Sequence, residues 1–229
     1  MSNHLSLFSV ILIFLGGQCF YGIHGEESLK IVEVTNITGM WYAVMATPCS
    51  DGGDCNIFSN NQKPCNCISA NFIALQDAGW QVYMSALNND TSQVTVDMGG
   101  ASFTPPECTK EVQGFIYSRA TMPSSVLSKS KYGLSNNVNG KSFFSTYKMS
   151  IIASNLEYVY MITTFTTSEN PTNQTVIWCR ERTPGKKTIW TQIDQHMGRL
   201  NMDIHKLNFI NQIGCTYPTE NQCNEIFFC

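Results

Sequence analysis

Between Met40 and Thr183 the chain is a succession of short runs, alternating in polarity or rich in β-branched and aromatic residues, each closed off by turn formers. The pattern predicts strands near 40–48, 66–76, 80–87, 92–97, 111–120, 142–152, 157–166 and 175–183. The breaks hold Asp77-Ala78-Gly79, Asn88-Asn89-Asp90, Asn136 to Gly140 and Asn170-Pro171, residues that set turns through positive φ or local side-chain hydrogen bonds. Strands at this spacing restrict the chain to an all-β barrel or sandwich. The period changes only after Pro184-Gly185. Ile189, Ile193, His196, Met197 and Leu200 then recur at helical spacing and predict one helix over 187–199. A short extended piece near 206–210 follows, and then a tail holding Cys215, Cys223 and Cys229.

The N-terminus carries Leu5 to Leu15, eleven residues without a charge. That is the length of a signal-peptide apolar region and too short to span a bilayer. The expected organisation is a signal over 1–25, cleaved after Cys19, Gly22 or Gly25, then a domain over 26–215 and a tail over 216–229. Ten cysteines agree with an oxidising compartment, as do sequons at Asn36, Asn89 and Asn173. A secreted, extracellular protein is expected. The net charge is −3 and the lysines are scattered, which argues against nucleic acid and anionic membrane surfaces as partners. A long polar loop between Pro48 and Pro64 contains Cys49, Cys55 and Gly52-Gly53.

Four segments then stand in a telling order. ITGMWYAV places Gly39, Trp41 and Tyr42 at the start of the first strand, and IIASNLEYVYMIT forms a turn between two later strands. CRERTPG carries Arg182 just before the helix, and MDIHKLNFINQIGC sets Asn211-Gln212 ahead of Cys215. Together they resemble the motifs of the lipocalin family, with Ser154-Asn155 where the second motif usually has an aspartate. The last segment is similar to the ending of the apolipoprotein D and bilin-binding branch, and CNCISANF is similar to plant chloroplastic lipocalins.

The resemblance implies an eight-stranded antiparallel up-and-down barrel with a C-terminal helix packed outside. It implies that Gly39, Trp41, Tyr42 and Arg182 close one end, with the Arg182 guanidinium across the Trp41 indole in a cation–π contact of about 1–2 kcal/mol. Taken singly, Trp41 is an ordinary core tryptophan and Arg182 an ordinary surface arginine. Strand alternation from these anchors predicts a cavity wall of Met45, Ile68, Ala70, Phe72, Val159, Met161, Trp178 and Arg180, with Ala43 also inward and Cys179 outward. Cys65 and Cys67 fall on the outer surface or just before the second strand, and the family pattern joins Cys67 to Cys215. Cys49–Cys55 and Cys223–Cys229 are open as local bridges, since connectivity is not read from sequence.

The function this implies is a carrier for a small hydrophobic ligand of lipid, sterol, retinoid or bilin type, with no cofactor of its own. A protein-binding role through the 49–64 loop and the tail is the alternative. A thiol isomerase of the prostaglandin D synthase type is a third, because the nine cysteines beyond the signal are odd in number. The odd thiol also leaves a disulfide-linked dimer open, beside a receptor as partner. Metal chemistry finds no support: His196 and His205 lie nine apart across a helix end, and Cys65-Asn66-Cys67 lacks the spacing of zinc or redox sites. No nucleophile elbow, phosphate loop or carboxylate pair is present.

Overall fold

A computed structural model describes residues 34–48, 65–75, 79–103, 111–127, 139–167 and 173–228. The strand-forming runs pair with their chain neighbours and close on themselves. In order they are β1 (Gly39–Ala46), β2 (Cys65–Ala74), β3 (Gly79–Asn88), β4 (Gln93–Phe103), β5 (Glu111–Pro123), β6 (Asn139–Ser154), β7 (Tyr160–Thr167) and β8 (Gln174–Cys179). Each is antiparallel to the next, and β1 pairs with both β8 and β2, which completes an eight-stranded up-and-down barrel. Closure removes free sheet edges, so no strand needs a charged or proline-blunted rim.

Alternation sends one set of side chains inward. Paired residues share a face, so Trp80, Val82, Met84 and Ala86 of β3 align with Ala101, Gly99, Asp97 and Thr95 of β4. The inner cluster includes Trp41, Ala70, Phe72, Ile116, Met149 and Trp178. Tyr147 lies against Gly114 so closely that a Cβ there would meet its ring at 2.1 Å, which explains a glycine in mid-strand.

Two helices cover the outer surface. Helix α3 (Lys187–Arg199) buries Ile189, Ile193 and Met197 against Val44, Tyr160, Ile162 and Cys179, as the helical spacing predicts. Arg199 occupies its last turn, where a cation complements the negative end of the helix dipole. A two-residue strand β9 (Asn208–Phe209) adds to β1, within the extended piece expected there.

The tail departs from expectation. It forms helix α4 (Glu220–Phe228), whose Cys223, Ile226 and Phe227 cover Val94, Val96, Met98, Ala120 and Met122. Cys223 is a free, buried thiol and not half of a local bridge to Cys229. Strand ends also differ: β4 and β6 run longer than expected, and β8 stops at Cys179 instead of reaching 183. Two single-turn helices, α1 (Val34–Ile37) before β1 and α2 (Ser124–Leu127) after β5, went unrecognised in the sequence because four residues show no period. The segment read as a signal and the 49–64 loop lie outside the described residues. Among the described residues no helix is long and apolar enough to cross a membrane.

Candidate ligand-binding site

At one end of the barrel Gly39 takes a φ of +103° and turns the chain into β1. Trp41 follows, fully buried, its indole Nε1 donating to the Ile37 carbonyl at 2.7 Å. The guanidinium across this indole belongs to Arg180, 3.7 Å from the ring centroid, and not to Arg182. Arg180 also donates to the Met40 carbonyl at 3.1 Å and the Asn36 carbonyl at 2.8 Å. Burial lowers its pKa from the usual arginine value. Arg180, expected on the cavity wall, is thus the closing residue. Arg182 sits outside, 4.6 Å from the Tyr217 ring and 5.4 Å from that of Tyr42, its Nη1 donating to the Cys215 carbonyl at 3.5 Å. The two arginines share a strand parity, so alternation ranked them equally. Because β8 ends at Cys179, the first of them already lies under the barrel.

Of the residues expected on the cavity wall, Ile68, Ala70, Phe72, Met161 and Trp178 join the inner cluster. Met45 and Val159 do not. A register shift between Ala43 and Met45 turns Val44 and Met45 outward toward α3 and lets Ala46 face in. Tyr158 adopts φ +48°, which puts its own ring inside and Val159 on the outer cluster. Cys67 takes φ +53° at a shift between Asn66 and Ser69. It points out and bonds to Cys215, as the family pattern implies. Cys65, expected outside, packs with the inner cluster and is itself disulfide-bonded.

The lumen has three zones. Phe72, Trp80 and Phe103 meet edge to face near the closed end, with centroids 6.1 and 4.9 Å apart. Tyr147, Phe165 and Trp178 form an aromatic ladder across β6, β7 and β8, with centroids 6.3 and 6.2 Å apart. Trp178 Nε1 donates to Thr163 Oγ1 at 2.9 Å, so its polar edge is satisfied inside. Across the barrel, nearer the mouth, Arg119 grips Asp97 with Nε–Oδ1 at 2.6 Å and Nη2–Oδ2 at 3.0 Å. The two are direct partners on β5 and β4, and Asp97 aligns with inward Met84. Sequence reading missed this pair. Its only signal was an acid and a base on adjacent predicted strands, with Asp97 placed at the very end of its strand.

Ala43, Ala70, Met161 and Trp178 are fully buried, and Arg119 is nearly so. The two free thiols described, Cys179 and Cys223, lie outside the lumen under α3 and α4, and burial pushes both up to about 12. A shallow external pocket of about 280 Å3 sits beside the Cys67–Cys215 bond, between Leu87, Val94 and Ser124. Asn89 and Asn173 are exposed and Asn36 is half-buried. Among the described residues no three His, Cys, Asp or Glu side chains gather as metal ligands.

No family model matches the sequence, and no curated protein does. Solved structures do. The amine-binding protein of Rhodnius prolixus, in complex with tryptamine, aligns at 14% identity and TM-score 0.59, covering 91% of this chain and 97% of that one. A biogenic amine-binding protein aligns at 12% identity and TM-score 0.58, covering 90% and 96%. The cockroach allergen Per a 4 aligns at 15% identity and TM-score 0.50, covering 85% and 95%. At these identities the likeness concerns the backbone. With the closed eight-strand barrel and its outer C-terminal helix, the chain has the lipocalin fold.

Proposed function

We propose that this protein is an extracellular carrier that holds a small, largely apolar molecule in its barrel. The observation that carries the reading is the inner face, where aliphatic and aromatic side chains predominate and the polar groups Asp97, Arg119, Thr163 and Trp178 Nε1 are hydrogen-bonded. The similar folds that bind amines add weight to a small ligand without naming it. The apolar N-terminal run and the Cys67–Cys215 bond support an oxidising, extracellular setting. Kinship with the apolipoprotein D and bilin-binding branch rests on the Asn211-Gln212 segment. There Gln212 ties the tail to the barrel by donating to the Ala43 and Ile68 carbonyls.

The thiol-isomerase reading loses support, because Cys179 and Cys223 lie outside the lumen and burial holds their thiols protonated. Native mass spectrometry of the protein from its own secretions, before and after denaturation, tests the carrier. A single adduct of defined mass supports it. A clean mass, together with no tryptophan quenching by retinol, palmitate, cholesterol, biliverdin or tryptamine, sinks it.

A further inference from the structure

The C-terminal segment completes the barrel wall and turns one side chain into it. Strand β1 pairs with β2 only from Gly39 to Tyr42. Beyond that point, toward the end of the barrel away from Trp41, the segment 208–212 lies between the two strands. On one side Phe209 and Asn208 pair with Met45 and Ala46, and Ile210 N–H donates to the Val44 carbonyl at 3.0 Å. On the other, Cys67 N–H donates to the Asn211 carbonyl at 2.9 Å. The Gln212 amide spans the seam by donating to the Ala43 and Ile68 carbonyls, and its oxygen accepts from the Tyr217 hydroxyl. The Cys67–Cys215 bond fastens the chain just beyond. Two contacts set the phase of the segment. Phe209 is exposed and meets Trp190 of α3 outside, with ring centroids 5.9 Å apart, whereas Ile210 packs against the inner cluster.

Ile210 therefore belongs to the inner face although none of the eight strands carries it. Toward this end of the barrel β1, β2 and β3 give that face Ala43, Ala46, Cys65, Ile68 and Ala86, mostly small side chains. A branched side chain added among them limits how far an apolar chain reaches along this side. Backbone hydrogen bonds on both flanks and the Gln212 bridge hold Ile210 in place. A wall fixed in this way discriminates by size, because a ligand cannot push it aside without breaking the seam. We propose that Ile210 contacts the ligand and sets the length of apolar chain that the barrel accepts, an inference that rests on the carrier reading.

Neutral n-alkanols from hexanol to dodecanol, titrated calorimetrically into the full-length secreted protein, measure that length. In the wild type each added methylene should tighten binding about fourfold until the chain meets Ile210, after which affinity levels off. Ile210→Ala should move this cut-off about two carbons longer, and Ile210→Trp should move it shorter. A residue that only packs would lower the melting temperature in both variants and leave the cut-off alone, so opposite shifts identify contact with the ligand. Phe209→Ala, on the outer side of the same segment, should leave the cut-off in place. Should Ile210→Trp fail to fold, Ile210→Ala and Phe209→Ala decide. Binding with no cut-off overturns the inference and leaves the carrier standing. So does a cut-off that stays put in Ile210→Ala or moves equally in Phe209→Ala. If only a member of the wider panel binds, its affinity should change by about threefold or more in Ile210→Ala and not in Phe209→Ala, and an unchanged affinity overturns the inference. No binding of any probe removes the carrier reading and the inference with it.

Discussion

The Arg180 guanidinium lies 3.7 Å from the centre of the Trp41 indole while two of its nitrogens donate to backbone carbonyls of Met40 and Asn36. One side chain therefore joins the last strand, the first strand and the turn of helix before it. The cation–π contact is strengthened because burial removes competing water.

Replacing Arg180 with Met should cost about 2–3 kcal/mol, from a partly desolvated cation–π contact and two charge-assisted hydrogen bonds. Arg182→Met should cost about 1 kcal/mol, since it loses only looser contacts to Tyr217 and Tyr42. Urea unfolding followed by tryptophan emission measures both. Equal costs, or a larger one at Arg182, would return the closing role to the arginine that the family resemblance implied.

Alternation did not separate Arg180 from Arg182, which came from the family resemblance, but it did misplace Met45 and Val159. Period-two counting assumes an unbroken strand, and a single bulge reverses every side chain beyond it. The shift at Val44 flips Met45 outward, and the left-handed Tyr158 does the same to Val159. Neither position carries a glycine or proline that would betray it in the sequence. Where the strand is regular, as in β2 beyond Ile68, the inner face of Ala70 and Phe72 follows directly. Helix α3 was legible because Ile189, Ile193 and Met197 repeat cleanly. The Asp97–Arg119 pair was not, because β4 runs to Phe103 while its polarity pattern fades at Asp97.

The bond between Cys67 and Cys215 closes a separation of 148 residues. In the loop-entropy model its loss should cost about 5 kcal/mol. The double variant Cys67→Ser/Cys215→Ser should melt about 10–20 °C lower, at the usual conversion for a domain of this size. Differential scanning calorimetry reads the shift. A drop of only a few degrees would mean that Gln212 and Tyr217, which hold the same segment through a side-chain hydrogen bond, anchor it without the sulfurs.

Alkali should weaken the fold over a defined window. Burial raises Cys179 and Cys223 from 9.0 to about 12, and Tyr83, Tyr160 and Tyr217 from 10.0 to about 12. Each group thus keeps its proton in the folded state where the unfolded chain releases it. The stability this gives is complete below about pH 9 and is lost as pH rises toward 12. Urea midpoints should stay flat from pH 7 to 8.5 and fall steadily above 9. Neither thiol should react with a disulfide reagent at pH 8.5 before urea is added. Rapid labelling of the native protein would show that α3 or α4 opens far more easily than its packing implies.

Helix α4 has a start signal that the sequence did carry. Thr219 and Gln222 form a reciprocal capping box: Gln222 N–H donates to Thr219 Oγ1 at 3.3 Å, and Thr219 N–H donates to Gln222 Oε1 at 2.9 Å. Gln222 Nε2 also donates to the Leu127 carbonyl at 3.1 Å, and the Tyr83 hydroxyl donates to Asn224 Oδ1 at 2.9 Å, so the helix is fastened to the barrel wall at two points. Thr219→Ala should cost about 1 kcal/mol through the lost cap. Adding Gln222→Ala should raise binding of an anilinonaphthalene dye, because Val96, Met98 and Met122 lie beneath the helix. Affinity for a lumen ligand should not change, since α4 packs on the outer face of β3, β4 and β5 while the lumen lies behind them. A large loss of ligand affinity in the double variant would make the tail part of the binding machinery and move the functional surface from the lumen to the outside of the barrel.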